Sequence, residues 1–583
     1  MRLTNVAHLR LPFGRLMGYD VQVSAPGREF PVSFDQCRHV GAGDRAGSWM
    51  AISFRLAGPV ALDDLAEAWL SVIARHGTLR TVFRARPGDE ATLHEVQIGR
   101  GQWTEHPIAP GQSVNDALKE QLDEACRPFA APSHRLSVLE TAEGPTVVIA
   151  ADHSHVDMWS MLVIVRDLLA ALGGTATAGE APAFAEHTAA LRDRAEAPEL
   201  VHERWRDIIE ASGDVMPRFP LPLGHPERHP ERVEVRDVLD VDDSAAFSAQ
   251  AAADGVSTLT LAVSAMTAVT RELAGTPLRA VFPVHSRYEP RWHDSVGWFI
   301  TNSVLESADP DPAACAAAVK EAVGLGSWPL EEVLAPWGGM PEAPGMFAIS
   351  WLDLRRLPVR VDALGLEAQY VSAAIHTDGV MLWFILDESG LHLRCRYPDT
   401  PEARTHVGGW LDLLVARLRR TARSSIGGHL RLGDQTFRVQ RALRSDVPVV
   451  VALLADDELG RLRESDALDR YEAAFDVIAR DPAQYLAVVR DEAERVVATM
   501  QLSIIPGLSR AGTTRLQIEG IRVAAAHRSA GLGAAMLEWA HRHGRARGAT
   551  LAQLTTDATR DRALGFYEKH GYTASHVGLK RPL

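Results

Sequence analysis

The 583-residue chain is predicted to be a multidomain α/β (α+β) protein, and three observations predict it. Its length exceeds what one hydrophobic core covers and allows two to four domains. Helical apolar spacing alternates with short buried apolar runs, the pattern of helices packed on sheets. Small-residue and Pro-rich stretches interrupt that alternation at 173–235 and near 424–433, where boundaries are expected.

The elements follow in order. Residues 1–30 are expected to add an extra strand pair. Over 60–77, Leu62, Leu65, Trp69, Val72 and Ile73 recur at helical spacing, and the apolar run within 147–151 reads as a short buried strand followed by a helix over 159–172. Gly173-Gly174 and the Pro/His/Arg/Glu-rich 217–232 flank a polar helical stretch at 184–212 that reads as a connection, in which Trp205 and Phe219 are packing residues. Strands are expected at 280–284, 346–352 and 380–386, with a helix at 403–420. Ser424-Ser425-Ile426-Gly427-Gly428 reads as a short linker, taken to 433. The following Gly428-His429-Leu430 has no serine to carry phosphopantetheine, so a carrier-attachment site is rejected. A strand at 437–442 opens the last domain, and Ser445 or Asp446 with Pro448 starts a helix.

Composition narrows the function. A net charge of −14 without a long basic run argues against nucleic acid as a partner. No apolar run reaches membrane-spanning length, and the first ten residues lack a signal-peptide core, so a cytoplasmic protein is expected. Cys37, Cys126, Cys315 and Cys395 are far apart without metal-ligand spacing, so reduced thiols and no metal are expected.

His153, just after the apolar run Val147-Val148-Ile149-Ala150, is followed four residues on by Asp157. An imidazole there suits acyl transfer, because it takes the acceptor's proton as the acceptor attacks a thioester carbonyl. With 23 histidines, the spacing alone is a weak signal. Its neighbours strengthen it. Ser33-Phe34-Asp35-Gln36, Arg75-His76-Gly77-Thr78-Leu79-Arg80-Thr81-Val82-Phe83, Asp152-His153-Ser154-His155-Val156-Asp157-Met158, Phe282-Pro283-Val284-His285-Ser286-Arg287 and Val296-Gly297-Trp298-Phe299 stand in one order. In that order they resemble five motifs of the condensation domains of nonribosomal peptide synthetases, relatives of chloramphenicol acetyltransferase. The resemblance implies two chloramphenicol acetyltransferase-like lobes, with His153 as base and Asp157 paired to Arg287 to hold the loop. It also implies that Val296–Phe299 is a strand. Two departures stand out, because the family's first histidine is Asp152 and its glycine is Met158. Asp152 is expected to raise the pKa of His153 by stabilising the imidazolium, and Met158 to narrow the donor channel or change donor choice. His155 is expected to face away.

Toward the end, Gln517-Ile518-Glu519-Gly520-Ile521-Arg522-Val523, then Arg528-Ser529-Ala530-Gly531-Leu532-Gly533-Ala534, then Gly565-Phe566-Tyr567-Glu568-Lys569-His570-Gly571-Tyr572, resemble the GCN5-related N-acetyltransferases (GNAT). A turn opening a helix offers unpaired N–H groups and a positive dipole end to a diphosphate. The resemblance implies that Arg528, Ser529, Ala530, Gly531, Leu532, Gly533 and Ala534 bind coenzyme A. Ile521 and Val523 would offer backbone groups to the pantetheine arm. Glu519 is a general base or a solvated strand-edge charge, and Tyr567 is the donor to the leaving thiolate or a core tyrosine.

The domains expected are 1–175 and 176–423 for the two lobes, 424–433 for the linker and 434–583 for the acetyltransferase. The function expected is a free-standing bifunctional acyltransferase of specialised-metabolite biosynthesis, in the manner of nonribosomal peptide and antibiotic assembly. Its donors would be acetyl-CoA for the last domain and, for the first, acyl-CoA or a phosphopantetheinyl thioester on a separate carrier protein. Its acceptors would be small-molecule amines or hydroxyls. An inactive condensation-like docking scaffold joined to a plain N-acetyltransferase remains the alternative.

Overall fold

The computed structural model describes residues 2–85, 90–141, 144–177, 179–424, 426–456, 461, 463–465, 467–481, 483–557, 560–576, 578 and 581. The chain forms two compact units, Met1–Val238 with Leu259–Val415, and Leu239–Thr258 with Ala416–Leu583.

The first unit holds two seven-stranded sheets. At the centre of the first lies Thr146–Asp152, between Trp49–Arg55 and His134–Glu140. Its continuous apolar run is explained by burial on both faces. Val147, Ile149 and Ala151 pack with residues of the helices Leu62–Arg75 and Met158–Leu172. Val148 and Ala150 pack with Leu118 and Leu122 of the helix Val114–Ala125. The second sheet runs Ile300–Ser307, Leu278–His285, Phe347–Asp353, Val380–Asp387, Gly390–Pro398, His229–Leu239, His376–Thr377.

Several sequence expectations shift here. Residues 1–30 do not form a strand pair. Arg2–Asn5 pairs in parallel with Gln369–Ser372, whereas Arg15–Val23 lies between His134–Glu140 and Ile98–Glu105. Gln369–Ser372 pairs in turn with Trp49–Arg55, so the first sheet borrows a strand from beyond residue 175. The polar connection is two helices, Phe184–Arg192 and Glu199–Ala211, the second opened by Pro198. Trp205 is fully buried there. Val296–Phe299 is irregular, and the strand begins at Ile300.

The second unit is a six-stranded sheet, Ile426–Leu432, Gln435–Arg441, Gln484–Arg490, Val496–Ile505, Arg515–Val523, Leu551–Leu554, antiparallel except for the last pair. The helix Leu532–Ala546 buries Met536, Leu537 and Ala540 against it. The expected linker is therefore largely a strand. Ile426–Leu432 turns through Gly433-Asp434, with Gly433 at φ 58°, and returns as Gln435–Arg441, the two-residue hairpin that glycine permits. Leu430 is buried in the core beside Trp539. A Cβ on Gly428 would lie 2.6 Å from Trp539 Nε1, so that glycine serves close approach rather than flexibility. The helix Val241–Ala253, expected in the second lobe, also belongs to this unit. Its Asp243 lies 3.7 Å from Arg441, both buried, and the Arg441 guanidinium sits 4.9 Å above the Tyr485 ring.

Candidate active sites

In the first unit, the strand ends at Asp152 and the helix Met158–Leu172 starts after Asp157, so a short turn carries His153. Asp157 caps that helix, accepting from the Ser160 N–H at 2.7 Å. The same carboxylate takes Arg287 Nη1 at 2.7 Å, Arg287 Nη2 at 3.2 Å and the Phe299 N–H at 3.0 Å. Arg287 also donates to Ser160 Oγ and the Ser295 carbonyl, and lies 3.9 Å over the Phe299 ring. Burial alone would push Asp157 up, but the Arg287 charge holds it below the usual carboxylate range. The expected pair is thus formed, and it ties the turn to the second sheet.

His153 Nδ1 lies 2.8 Å from the Val156 carbonyl, an oxygen that can only accept. The proton therefore sits on Nδ1, and Nε2 carries the lone pair of the neutral ring. The ring stacks on Trp298 at 4.3 Å and 21°. Gly297 permits that approach of the chain, since a Cβ there would meet Phe184 at 2.5 Å. Burial, the largest influence, holds the His153 imidazole below its ordinary value. Asp152 does raise it, as expected, but as the smallest influence, and burial outweighs it. That carboxylate is directed elsewhere, accepting from Ser48 Oγ at 2.5 Å, the Ser154 N–H at 2.9 Å, Ser154 Oγ and His39 Nε2 at 3.1 Å. Burial pushes Asp152 up, yet these donors bring it well below the carboxylate range. Arg45 Nη2 lies 3.1 Å from His39 Nδ1. A guanidinium only donates, so Nδ1 accepts and the Nε2–H points at Asp152.

His155 is buried, with Nε2 3.2 Å from the Thr81 carbonyl and its ring against Phe83, so it is structural. Met158 packs against the first-sheet core, and its carbonyl accepts from Tyr370. Ser33-x-x-Gln36 is a capping box opening the helix Phe34–Gly41, and Gln36 Nε2 donates to the Ser154 carbonyl at 2.8 Å. His39, Arg45, Ser48 and Trp298 were missed as site residues. The helix signal contained one of them, because His39 follows Gln36 by three residues and so shares its face.

In the second unit, the register of Arg515–Val523 against Val496–Ile505 slips between Gln501↔Glu519 and Thr499↔Arg522. Gly520, at φ 59°, and Ile521 therefore oppose the single residue Met500, a bulge of the kind that re-aims chains beside active sites. The parallel pairing with Leu551–Leu554 covers only Arg515–Ile518, which leaves the main chain from Glu519 to Val523 without a strand partner on that side among the described residues. The Val523 carbonyl accepts from Arg528 Nε at 2.9 Å, and the Ile521 carbonyl from Arg522. The Arg528 guanidinium is thus engaged, with Asp456 taking its Nη2 at 2.6 Å. It clamps the loop rather than pointing outward.

Ser529 has φ 65°, and Gly531 caps the helix Leu532–Ala546 at φ 90° with no side-chain cap. The first-turn N–H groups, which belong to Leu532, Gly533 and Ala534 with the preceding Ala530 loop, lack partners inside the helix. These residues fit a diphosphate. Glu519 is exposed, on the face opposite buried Leu516 and Ile518. Tyr567 lies on Asp561–Lys569, beside Phe566 and Tyr572. Burial raises its phenol above the ordinary value, partly offset by Arg522 and Arg560, so it stays protonated at neutral pH. Among the described residues no cluster of His, Cys, Asp and Glu is placed to hold a metal, and no helix is long and apolar enough to cross a membrane.

Residues 41–322 match the family model for the Condensation domain, and residues 451–572 that for the Acetyltransferase (GNAT) family. The acyltransferase PapA3 of Mycobacterium tuberculosis is 24% identical over 434 residues, covering 69% of this chain and 91% of that protein. The probable non-canonical nonribosomal peptide synthetase CymA of Salinispora arenicola is 28% identical over 311 residues, 48% of this chain and 4% of that protein. Among solved structures, the PapA2 acyl transferase superposes with a TM-score of 0.63 at 19% identity, over 72% of this chain and all of that one. The epimerization domain from the third module of tyrocidine synthetase B gives 0.53 at 14% identity, over 68% and 96%. These likenesses show the fold of the first unit.

Proposed function

The chain carries a condensation domain and a GNAT acetyltransferase domain and is an acyltransferase, and from that premise we propose that it is bifunctional. The observation that carries the first activity is the His153 Nδ1 bond to the Val156 carbonyl, which leaves Nε2 as the available base. An acceptor amine or hydroxyl hydrogen-bonds Nε2 and loses its proton there as it attacks the thioester carbonyl. The imidazolium then returns a proton to the departing thiolate. Asp157 and Arg287 fix the turn, and Trp298 fixes the plane of the ring. The donor is an acyl-CoA or a phosphopantetheinyl thioester on a carrier protein, and the acceptor a small molecule of specialised metabolism, in the cytoplasm.

The second activity is acetyl transfer from acetyl-CoA to an amine. The loop 528–534 holds the diphosphate, and the strand edge at Ile521 and Val523 lies along the pantetheine arm. Glu519 takes the amine proton, and Tyr567 supplies one to the coenzyme thiolate. The test is acyl transfer by His153→Ala in the full chain. Loss of product with acetylation intact supports two centres. Unchanged product makes the first unit a docking scaffold for a plain N-acetyltransferase.

A further inference from the structure

Two arginines inside the first unit have too few partners for their burial. Arg394 and Arg396 lie on the same face of Gly390–Pro398, opposite Trp383 and Met381 of Val380–Asp387. Their guanidinium carbons sit 4.8 Å and 5.3 Å from the Trp383 ring. The Arg394 side chain is buried, and burial, with Arg396 adding to it, pushes its pKa down to about 10. It donates to Ser372 Oγ at 2.8 Å, but its Nε has no partner. Arg396 Nη2 faces the Met381 sulfur, and its Nε is also unpartnered. One carboxylate stands nearby. Glu231 Oε1 accepts from Asn5, while Oε2, 3.9 Å from Arg396 Nε, makes no hydrogen bond. One buried cation and one only slightly exposed, beside one carboxylate, leave a positive charge uncompensated, and buried charges are costly unless paired.

The placement connects this charge to the reaction. Ser372 lies opposite Met50, which lies opposite Ala151, the residue before Asp152-His153. Two strand spacings, about 10 Å, separate Ser372 from the end of the catalytic strand. The arginine face also carries Ala348 and Met381, which cluster with Phe34, at the start of the helix whose Gln36 holds Ser154.

We propose that Arg394 and Arg396, stacked over Trp383, bind an oxyanion group (a carboxylate, sulfate or phosphate) of a substrate of the condensation centre. The inference rests on the functional reading for its consequence in turnover, but not for binding. Arginine is the fitting residue, since its planar fork matches such oxyanions and its face stacks on indole.

Inorganic sulfate at constant ionic strength is the probe, titrated by calorimetry into the full chain in a Gly531→Val background that removes competition from the acetyltransferase loop. A saturable site is expected, weakened at least tenfold in Arg394→Gln and in Arg396→Gln, with Arg394→Lys keeping part of it. Thermal melts identify any variant that fails to fold, and the other variant then carries the test. Two kinetic arms distinguish the source of the anion. An Arg394→Gln penalty on KM that vanishes when the acceptor's carboxylate is amidated places the group on the acceptor. One that vanishes with a phosphate-free N-acetylcysteamine thioester places it on the donor. Absence of a saturable site in the parent, or binding by both glutamine variants as tight as the parent's, overturns the proposal. A protein that binds sulfate here yet transfers no acyl group sinks the functional reading and leaves this one standing.

Discussion

The two candidate centres are built from different parts of the polypeptide. Around His153 the work is done by side chains, with one imidazole fixed by a carbonyl, an indole and a turn held by the buried Asp157–Arg287 pair. Around Gly531 the main chain dominates, through a bulge at Gly520, an uncapped helix start and a left-handed glycine. The polar side chains there, Arg528 and Glu519, are exposed. A reaction that needs one atom at one point favours locked side chains, whereas a long cosubstrate is held by repeated backbone groups. Single substitutions should therefore act sharply at the first centre and in a graded way at the second.

The largest effect is expected at His153, where alanine should lower acyl transfer by roughly 10²–10⁴-fold, the usual worth of a general base. Next is the ion pair. Asp157→Ala leaves Arg287 buried without its carboxylate, and denaturant unfolding should show a loss of about 3–5 kcal/mol. The exposed Arg528–Asp456 pair offers the contrast. Asp456→Ala should cost no more than about 1 kcal/mol, and equal losses for the two would erase the distinction between the centres.

Gly531→Val should weaken acetyl-CoA at least tenfold, about 1.4 kcal/mol, because valine is strained at φ 90° and covers the N–H groups of the helix start. The smallest effect sharpens the reading of His153. As the proposed base, His153 works when neutral, and its pKa is held below the ordinary 6.5, so it stays neutral to lower pH. The acid limb of kcat/KM for acyl transfer should accordingly fall below pH 6.5, and a limb at or above that value would mean that burial does not set the titration.

Legibility from sequence followed how local each feature is. The strand that ends at Asp152 and the helix after it were readable because an apolar run and a 3.6-residue pattern are local signals, and the Asp157–Arg287 pair because two motifs specify it. The network of Asp152 was not readable. His39, Arg45 and Ser48 reach it from separate elements, and only folding brings them together. The expected linker failed for a related reason. Ser-Ser-Ile-Gly-Gly looks flexible in isolation, but Leu430 is buried and Gly428 admits Trp539, contacts made more than a hundred residues away. The helix Val241–Ala253 gave no sign of belonging to the second unit, since its ion pair to Arg441 spans nearly two hundred residues. A fragment of 434–583 lacks both that helix and the strand Ile426–Leu432, so it should melt well below the full chain. An equally stable fragment would restore the linker reading.

The central claim is that two independent acyl-transfer centres share one chain, and the most direct measurement assays both reactions in both variants of the full-length protein. His153→Ala should lower condensation from a carrier-protein thioester by roughly 10²–10⁴-fold while acetylation from acetyl-CoA continues at the parent rate, and Gly531→Val should lower acetylation at subsaturating acetyl-CoA at least tenfold while condensation continues at the parent rate. If either substitution depresses both reactions alike, or if condensation continues at the parent rate without His153, the account is contradicted.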